Sequence, residues 1–201
     1  MLDLSTLNPP QREAVTTVDG PLLVLAGAGS GKTRVIVHRI AWLLQKGVDP
    51  GAILAVTFTN KAAGEMRERV ARVAGAAGVD VFVSTFHSFG LWLLHEDHAA
   101  AGLPKRFAIC DAGDQLALVK RCMREVRVDD YDLVASEVYP RYQRALRAQR
   151  SVDFDDLIAL PVALLAKDAA LRKKYARRFR HVLVDEYQDT NVAQLGLLKL
   201  L

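Results

Sequence analysis

The stretch Ala26-Gly-Ala-Gly-Ser-Gly-Lys-Thr33 follows the aliphatic run Leu22–Ala26 and precedes the amphipathic segment that starts at Arg34. It fits the phosphate-loop pattern G-x-x-x-x-G-K-[ST] with Ala26 in place of the first glycine and with Gly31, Lys32 and Thr33 matching. Gly27 and Gly29 keep the backbone permissive, so its N–H groups can turn inward around phosphate oxygens. The helix that follows adds its positive N-terminal end. In this pattern the backbone of Ala28, Gly29, Ser30 and Gly31 cradles phosphate, Lys32 reaches the β- and γ-phosphates, and Thr33 ligates Mg²⁺. The bland alternative is a glycine-rich turn with no ligand. The strand-before, helix-after context favours the nucleotide reading.

A phosphate loop needs a partner at the end of a neighbouring strand. The sequence Val182-Leu-Val-Asp-Glu-Tyr-Gln-Asp-Thr-Asn191 supplies it, because three aliphatic residues run directly into two carboxylates. Asp185 is the expected second Mg²⁺ contact, and Glu186 stands where it can take a proton from an attacking water.

Four short apolar runs are predicted as strands: Leu22–Ala26, Ile53–Phe58, Val79–Ser84 and Val182–Asp185. Each is continuous rather than alternating, as strands buried on both faces are. Helix punctuation separates them. Asn8-Pro9-Pro10 starts a helix, Gly47 ends the next, Asp49-Pro50-Gly51 makes a turn, and Asn60 can cap Lys61–Ala74. The order predicts an α/β fold with a parallel sheet. From about Phe89 to Arg150 the pattern is almost entirely helical, which reads as an insertion. The expected organisation is therefore a core over 1–88, a helical insert over 89–150, and a return to the core over 151–201.

Composition is that of an ordinary globular chain of 201 residues, 51% hydrophobic and 25% charged. A net charge of +4 and a pI near 9.2 suit a nucleic-acid partner without requiring one. Cys110 and Cys122 have neither CxxC spacing nor a nearby cysteine–histidine cluster, which fits reduced thiols and a cytoplasmic setting rather than zinc. No signal peptide and no membrane-spanning run is evident, so no membrane partner is expected.

Taken together, AGAGSGKT, VTFTNKAA and DEYQDTN resemble the UvrD/Rep/PcrA family of superfamily-one DNA helicases, in both wording and order. The resemblance implies a RecA-like P-loop core, ATP and Mg²⁺ as cofactors, and ATP-driven movement on single-stranded DNA and at single/double-strand junctions. LNPPQREAV resembles the family's adenine-reading segment, with Gln11 at the adenine edge; Asn8 and Gln11 also have capping-box spacing. Arg34 matches a family position beside the base. The segment Ala55–Val70 resembles one that faces single-stranded DNA. There Phe58 would stack on a base, with ordinary core as its alternative, and Thr59, Asn60 and Lys61 would hold phosphates. In VSTFHSFG, Thr85 and His87 would touch the DNA backbone; a helix-start or surface role is the plain alternative for His87.

Other clusters read as structural. Asp153 reads as an N-cap, with Asp155 and Asp156 favouring the first helical turn, in preference to a metal cluster. The stripe Arg141, Arg144, Arg147, Arg150 reads as a solvated face, with duplex phosphates as the alternative. Arg172–Arg180 also reads as solvated helix.

Two departures from the family pattern stand out. Between Val128 and Tyr131 the chain is shorter by several dozen residues, which predicts an abrupt turn or a break there. It also ends before the family's later motifs, including the arginines of a second RecA-like domain. The expected protein is thus an N-terminal portion of a longer helicase. The rivals are a nucleotide- or DNA-binding module without turnover and a P-loop small-molecule kinase.

Overall fold

A computed structural model describes residues 2–126 and 131–201, with backbone only for 131–135. The join expected at 129–131 therefore lies outside the described residues, apart from the backbone of Tyr131. From the N-terminus come α1 (Pro9–Thr16), α2 (Lys32–Gln45), a 3-10 turn (Pro50–Ala52), β1 (Ile53–Thr57), α3 (Asn60–Ala74), α4 (Ala76–Val79), β2 (Phe82–Thr85) and α5 (Phe86–Glu96). There follow β3 (Ala108–Ile109), α6 (Ala112–Glu125), α7 (Tyr131–Ala148), β4 (Ser151–Val152), α8 (Asp156–Lys167), α9 (Ala169–Arg178), β5 (His181–Val184), a 3-10 turn (Tyr187–Asp189) and α10 (Val192–Lys199). The chain packs as two compact units, Met1–Phe86 with Ala169–Leu201, and His87–Asp168.

The first unit is built on a parallel sheet in the order β2-β1-β5. All five residues of β1 are buried, as a central strand covered on both faces must be. Ile53 and Ala55 share a face with Val83 and Leu183, and Val37, Ile40 and Leu43 of α2 and Ala63, Met66 and Val70 of α3 pack on that face. On the other side of the sheet, Phe82 meets Phe179 edge-on, with centroids 5.7 Å apart. The residues Leu7, Ala14 and Val15 pack with Val35 of α2. Arg39 ties that contact down by donating to the carbonyls of Ala14 and Thr17.

Local chemistry explains the helix starts. Asn8 and Gln11 form a reciprocal capping box ahead of α1. The cap of α3 is Thr59 rather than Asn60; its hydroxyl accepts from Ala62 N at 3.1 Å, so the helix begins one residue early. Gly47, at φ 83°, closes α2 in the left-handed conformation that glycine adopts without strain.

Two predicted strands differ in the structure. Leu22–Ala26 is not in the sheet, and Leu22, Leu23, Val24 and Leu25 are 43, 63, 39 and 85% exposed. A continuous aliphatic strand is stable only when flanked and covered on both faces. Among the described residues no strand lies beyond β5 to flank it. A groove of about 460 Å³ runs there instead, lined by His181, Val182 and Leu183 of β5 and by Val18, Arg39 and Leu201 among others. The strand predicted over Val79–Ser84 starts late, because Gly75 at φ 66° ends α3 and Ala76–Val79 forms a short helix, leaving Val79 exposed.

Among the described residues, the second unit carries helices and the two-residue parallel pair β3 and β4, which is too short to show as a periodic pattern. Its polar anchor corrects two readings. Asp153 and Asp156 cap each other's backbone, with Asp156 N to Asp153 Oδ1 at 2.7 Å and Asp153 N to Asp156 Oδ2 at 3.2 Å. Tyr142 donates to Asp153 at 2.7 Å, and Arg147 pairs with Asp156 at 3.1 Å while also donating to Ser151 O. Asp156 is buried, so it does more than complement a helix dipole, and Arg147 leaves the solvated stripe to neutralise it. Arg144 and Arg150 are exposed as expected. Burial, and then the bond to Asp153, push the Tyr142 phenol well above its ordinary pKa.

Helices α5 and α8 touch at Gly90, where an added Cβ would lie 1.8 Å from Leu157 O. We expect Gly90→Ala to destabilise the chain by about 3 kcal/mol, the upper end of overpacking penalties. Gly64→Ala, in open space on α3, should stabilise it by about 0.5–1 kcal/mol. Urea unfolding of the two variants checks the contrast, and equal midpoints would contradict the close approach.

Candidate nucleotide site

Residues 21–30 form an exposed loop that turns into α2 through Gly31, at φ 85° and ψ 28°. Gly29, at φ 73°, makes the other left-handed step. The loop is held by its own bonds: Ser30 Oγ donates to Gly27 O at 2.6 Å, and Gln11 Nε2 donates to Ser30 O at 2.9 Å. Lys32 Nζ donates to Ala26 O at 2.9 Å and Gly27 O at 3.0 Å, so the ammonium lies across the loop on two carbonyls. Ala28 is exposed at the tip, and Arg34 is exposed on the first turn of α2.

Gln11 serves two partners at once. Its Oε1 accepts from Asn8 N at 3.1 Å while its Nε2 holds the loop. That leaves one N–H and one lone pair on the amide.

The two halves of the expected metal site meet. Thr33 Oγ1 donates to Asp185 Oδ2 at 2.9 Å. Asp185 is buried, and its own N–H extends the ladder to Val56 O at 3.0 Å. Glu186 N donates back to Asp185 Oδ1 at 3.1 Å. The backbone of Glu186 is left-handed, at φ 55° and ψ 42°, a conformation costing a non-glycine residue about 1–3 kcal/mol. This step leaves the Glu186 side chain exposed while Asp185 stays buried.

Thr33, Asp185 and Glu186 line a cleft of about 180 Å³ with Thr57, Ala62, Glu65, Met66 and Arg69. Glu65 and Arg69 neutralise each other at 3.2 Å. The hydroxyl of Thr57 is buried and has no partner among the described residues. A carboxylate and hydroxyls make an all-oxygen donor set, which suits a hard cation such as Mg²⁺. Sequence reasoning passed over Thr57, although a polar residue closing the run Ile-Leu-Ala-Val is the same signal that Asp185 gives after Val-Leu-Val.

The residues expected to meet DNA are placed unevenly. Phe58 follows β1 half-buried, with its ring 5.4 Å from that of Phe86 and tilted by 59°. Thr59, Asn60 and Lys61 are exposed around the first turn of α3, Thr59 doubling as its cap. Thr85 is buried at the end of β2, so an open backbone contact does not fit it. His87 belongs to the second unit, where its ring stacks on Phe154 at 4.0 Å and 20°. Burial lowers its pKa, against the opposing charge of Asp155, and so disfavours the cationic ring.

The chain is similar to known proteins over nearly its whole length. The sequence model of the UvrD/REP helicase N-terminal domain matches residues 7–134 and 125–201, its two matches overlapping around the join at which the shortening was expected. The ATP-dependent DNA helicase PcrA of Bacillus subtilis is 43% identical over 229 residues, covering 98% of this chain and 31% of that protein. PcrA of Leuconostoc citreum is 42% identical, covering 97% and 31%. PcrA of Staphylococcus aureus is 39% identical over 231 residues, covering 98% and 32%. The chain thus spans about a third of the length of these relatives. With a phosphate loop, an Asp-Glu strand end joined to it and a family match over nearly every residue, the chain belongs to the UvrD/REP helicase N-terminal domain family.

Proposed function

We propose that this chain is the ATP-binding portion of an ATP-dependent DNA helicase or translocase that acts on single-stranded DNA and at single/double-strand junctions. The observation that carries the reading is the Thr33–Asp185 bond, which joins the phosphate loop to the end of β5. In this reading Ala28, Gly29, Ser30 and Gly31 present backbone N–H groups to phosphate, and Lys32 swings from the loop carbonyls to the β- and γ-phosphates. Thr33 and Asp185 hold Mg²⁺, which when bound supplies positive charge to the phosphate oxygens. Glu186 accepts the proton of the attacking water. Gln11 meets the adenine edge with its spare N–H and lone pair, and Arg34 lies beside the base.

Phe58, Thr59, Asn60 and Lys61 offer an aromatic face followed by exposed polar groups, the combination that a single strand needs from a sequence-tolerant platform. Unwinding requires a second RecA-like domain as partner, and the expected setting is the cytoplasm, with the nucleoid. Cys110 and Cys122, both free and buried, are compatible with that.

One observation favours binding without turnover by this chain taken alone. The aliphatic run that should brace the loop, Leu22–Ala26, is exposed and outside the sheet. A loop without that brace can collect phosphate contacts, yet it fixes none of them rigidly enough for transfer.

Two outcomes follow. Calorimetry should detect weak binding of Mg·ATP that is lost in Lys32→Ala; equal affinity in the two would contradict the loop assignment. With saturating single-stranded DNA, steady-state ATP hydrolysis by this chain alone should stay on the order of 10³-fold below that of a full-length relative, the scale of an arginine finger's contribution. Robust DNA-stimulated hydrolysis that disappears in Glu186→Gln would show that the chain is a complete catalyst.

A further inference from the structure

We propose that Thr57 is a positioning residue of the nucleotide site, holding through its hydroxyl a water in the shell of the cation bound by Thr33 and Asp185. This role rests on the nucleotide reading above. It is carried by the sheet register and by an orphaned hydroxyl in the cleft.

In the parallel pair of β1 and β5, Ile53 lies opposite His181, Ala55 opposite Leu183, and Val56 opposite Val184. One step further places Thr57 beside Asp185, and the bond from Asp185 N to Val56 O keeps that register. Side chains of neighbouring strands in register point to the same face. Ala55 and Leu183 mark that face as the one packed by α2 and α3. Thr33 heads α2, and Ala62 and Met66 belong to α3. Thr57 therefore enters the cleft from the sheet side, on the level of Asp185, while Thr33 enters it from the helix side.

The residue type is what calls for a ligand. Ile53, Leu54, Ala55 and Val56 are aliphatic and buried, and Thr57 is equally buried at 1% exposure. A valine would have the same shape and would bury no polar atom. A hydroxyl at this depth without a partner is a net cost, so it is expected to find one. The cleft offers room, and Mg²⁺ keeps several of its waters when held by only one or two protein groups. Such a water must be oriented by acceptors and donors around it. A threonine hydroxyl can do both, accepting from one water proton or donating to the water oxygen. Of the other charges lining the cleft, Glu65 and Arg69 are paired with each other.

The test uses the purified chain, with thermal unfolding and ATP calorimetry, each run in Mg²⁺ and in EDTA. Removing an unpartnered buried hydroxyl should raise the unliganded melting temperature of Thr57→Val by about 2–4 °C. The same change should lower ATP affinity about three- to tenfold in Mg²⁺ and leave it unchanged in EDTA. Thr57→Ser should restore the Mg²⁺-dependent affinity, which a purely structural threonine would not require. A Thr57→Val chain that melts lower and binds Mg·ATP as the wild type does would overturn the proposal, and so would a Thr57→Ser chain that behaves like Thr57→Val. If the wild-type chain itself gains nothing from Mg²⁺ in binding ATP, the nucleotide-site reading fails first and takes this role with it.

Discussion

The bond from Asp185 N to Val56 O, at 3.0 Å, is the link on which the site depends. It carries the β1–β5 ladder one residue past the end of the strand and so fixes the depth and direction of the Asp185 carboxylate. With that register set, Thr33 can reach the carboxylate across the sheet end, and Thr57 and Thr85 fall in the same row. A one-residue slip would turn Asp185 to the opposite face and bring Glu186 to its level. The buried strand β1 supplies the stiffness. Its side chains are packed on both faces, so the register has no room to drift.

Strain and order are divided around this link. Glu186 takes a left-handed conformation immediately after Asp185, whose own N–H still bonds to Val56 O. One strained residue lets two adjacent carboxylates have different surroundings, one buried against a hydroxyl and one exposed. That is the division of labour a metal ligand and a proton acceptor need. The phosphate loop is held more lightly, by Gln11 and by its own carbonyls, and Lys32 is kept at hand on two of those carbonyls. Under the proposed function, a phosphate arriving there would replace carbonyl dipoles with full negative charge.

Much of this was legible in the residues. The glycine-rich turn, the paired carboxylates and the capping box at Asn8 each have a local cause, and local causes can be read from a string of letters. The structure put Thr33 and Asp185 in contact although 152 positions separate them, as the phosphate-loop logic required. What escaped was non-local. The fate of Leu22–Ala26 depends on what flanks β5, which no run of five residues reveals. Asp156 and Arg147 look like surface charges until the helix packing buries one beside the other. Thr85 looks like a contact residue until its strand pairs with β1 and hides it. Thr57 had the right signal, a hydroxyl ending an aliphatic strand, but its meaning appears only beside Asp185.

The central claim is that Thr33 and Asp185 act together on one cation. A double-mutant cycle with Thr33→Val, Asp185→Asn and the combined variant, read as Mg·ATP affinity by calorimetry, tests it most directly. Two side chains serving a single ion lose their effect together, so the double variant should bind no more weakly than the worse single one. Losses that simply add would show that the two residues act independently, and the bond between them would then be packing rather than a metal site.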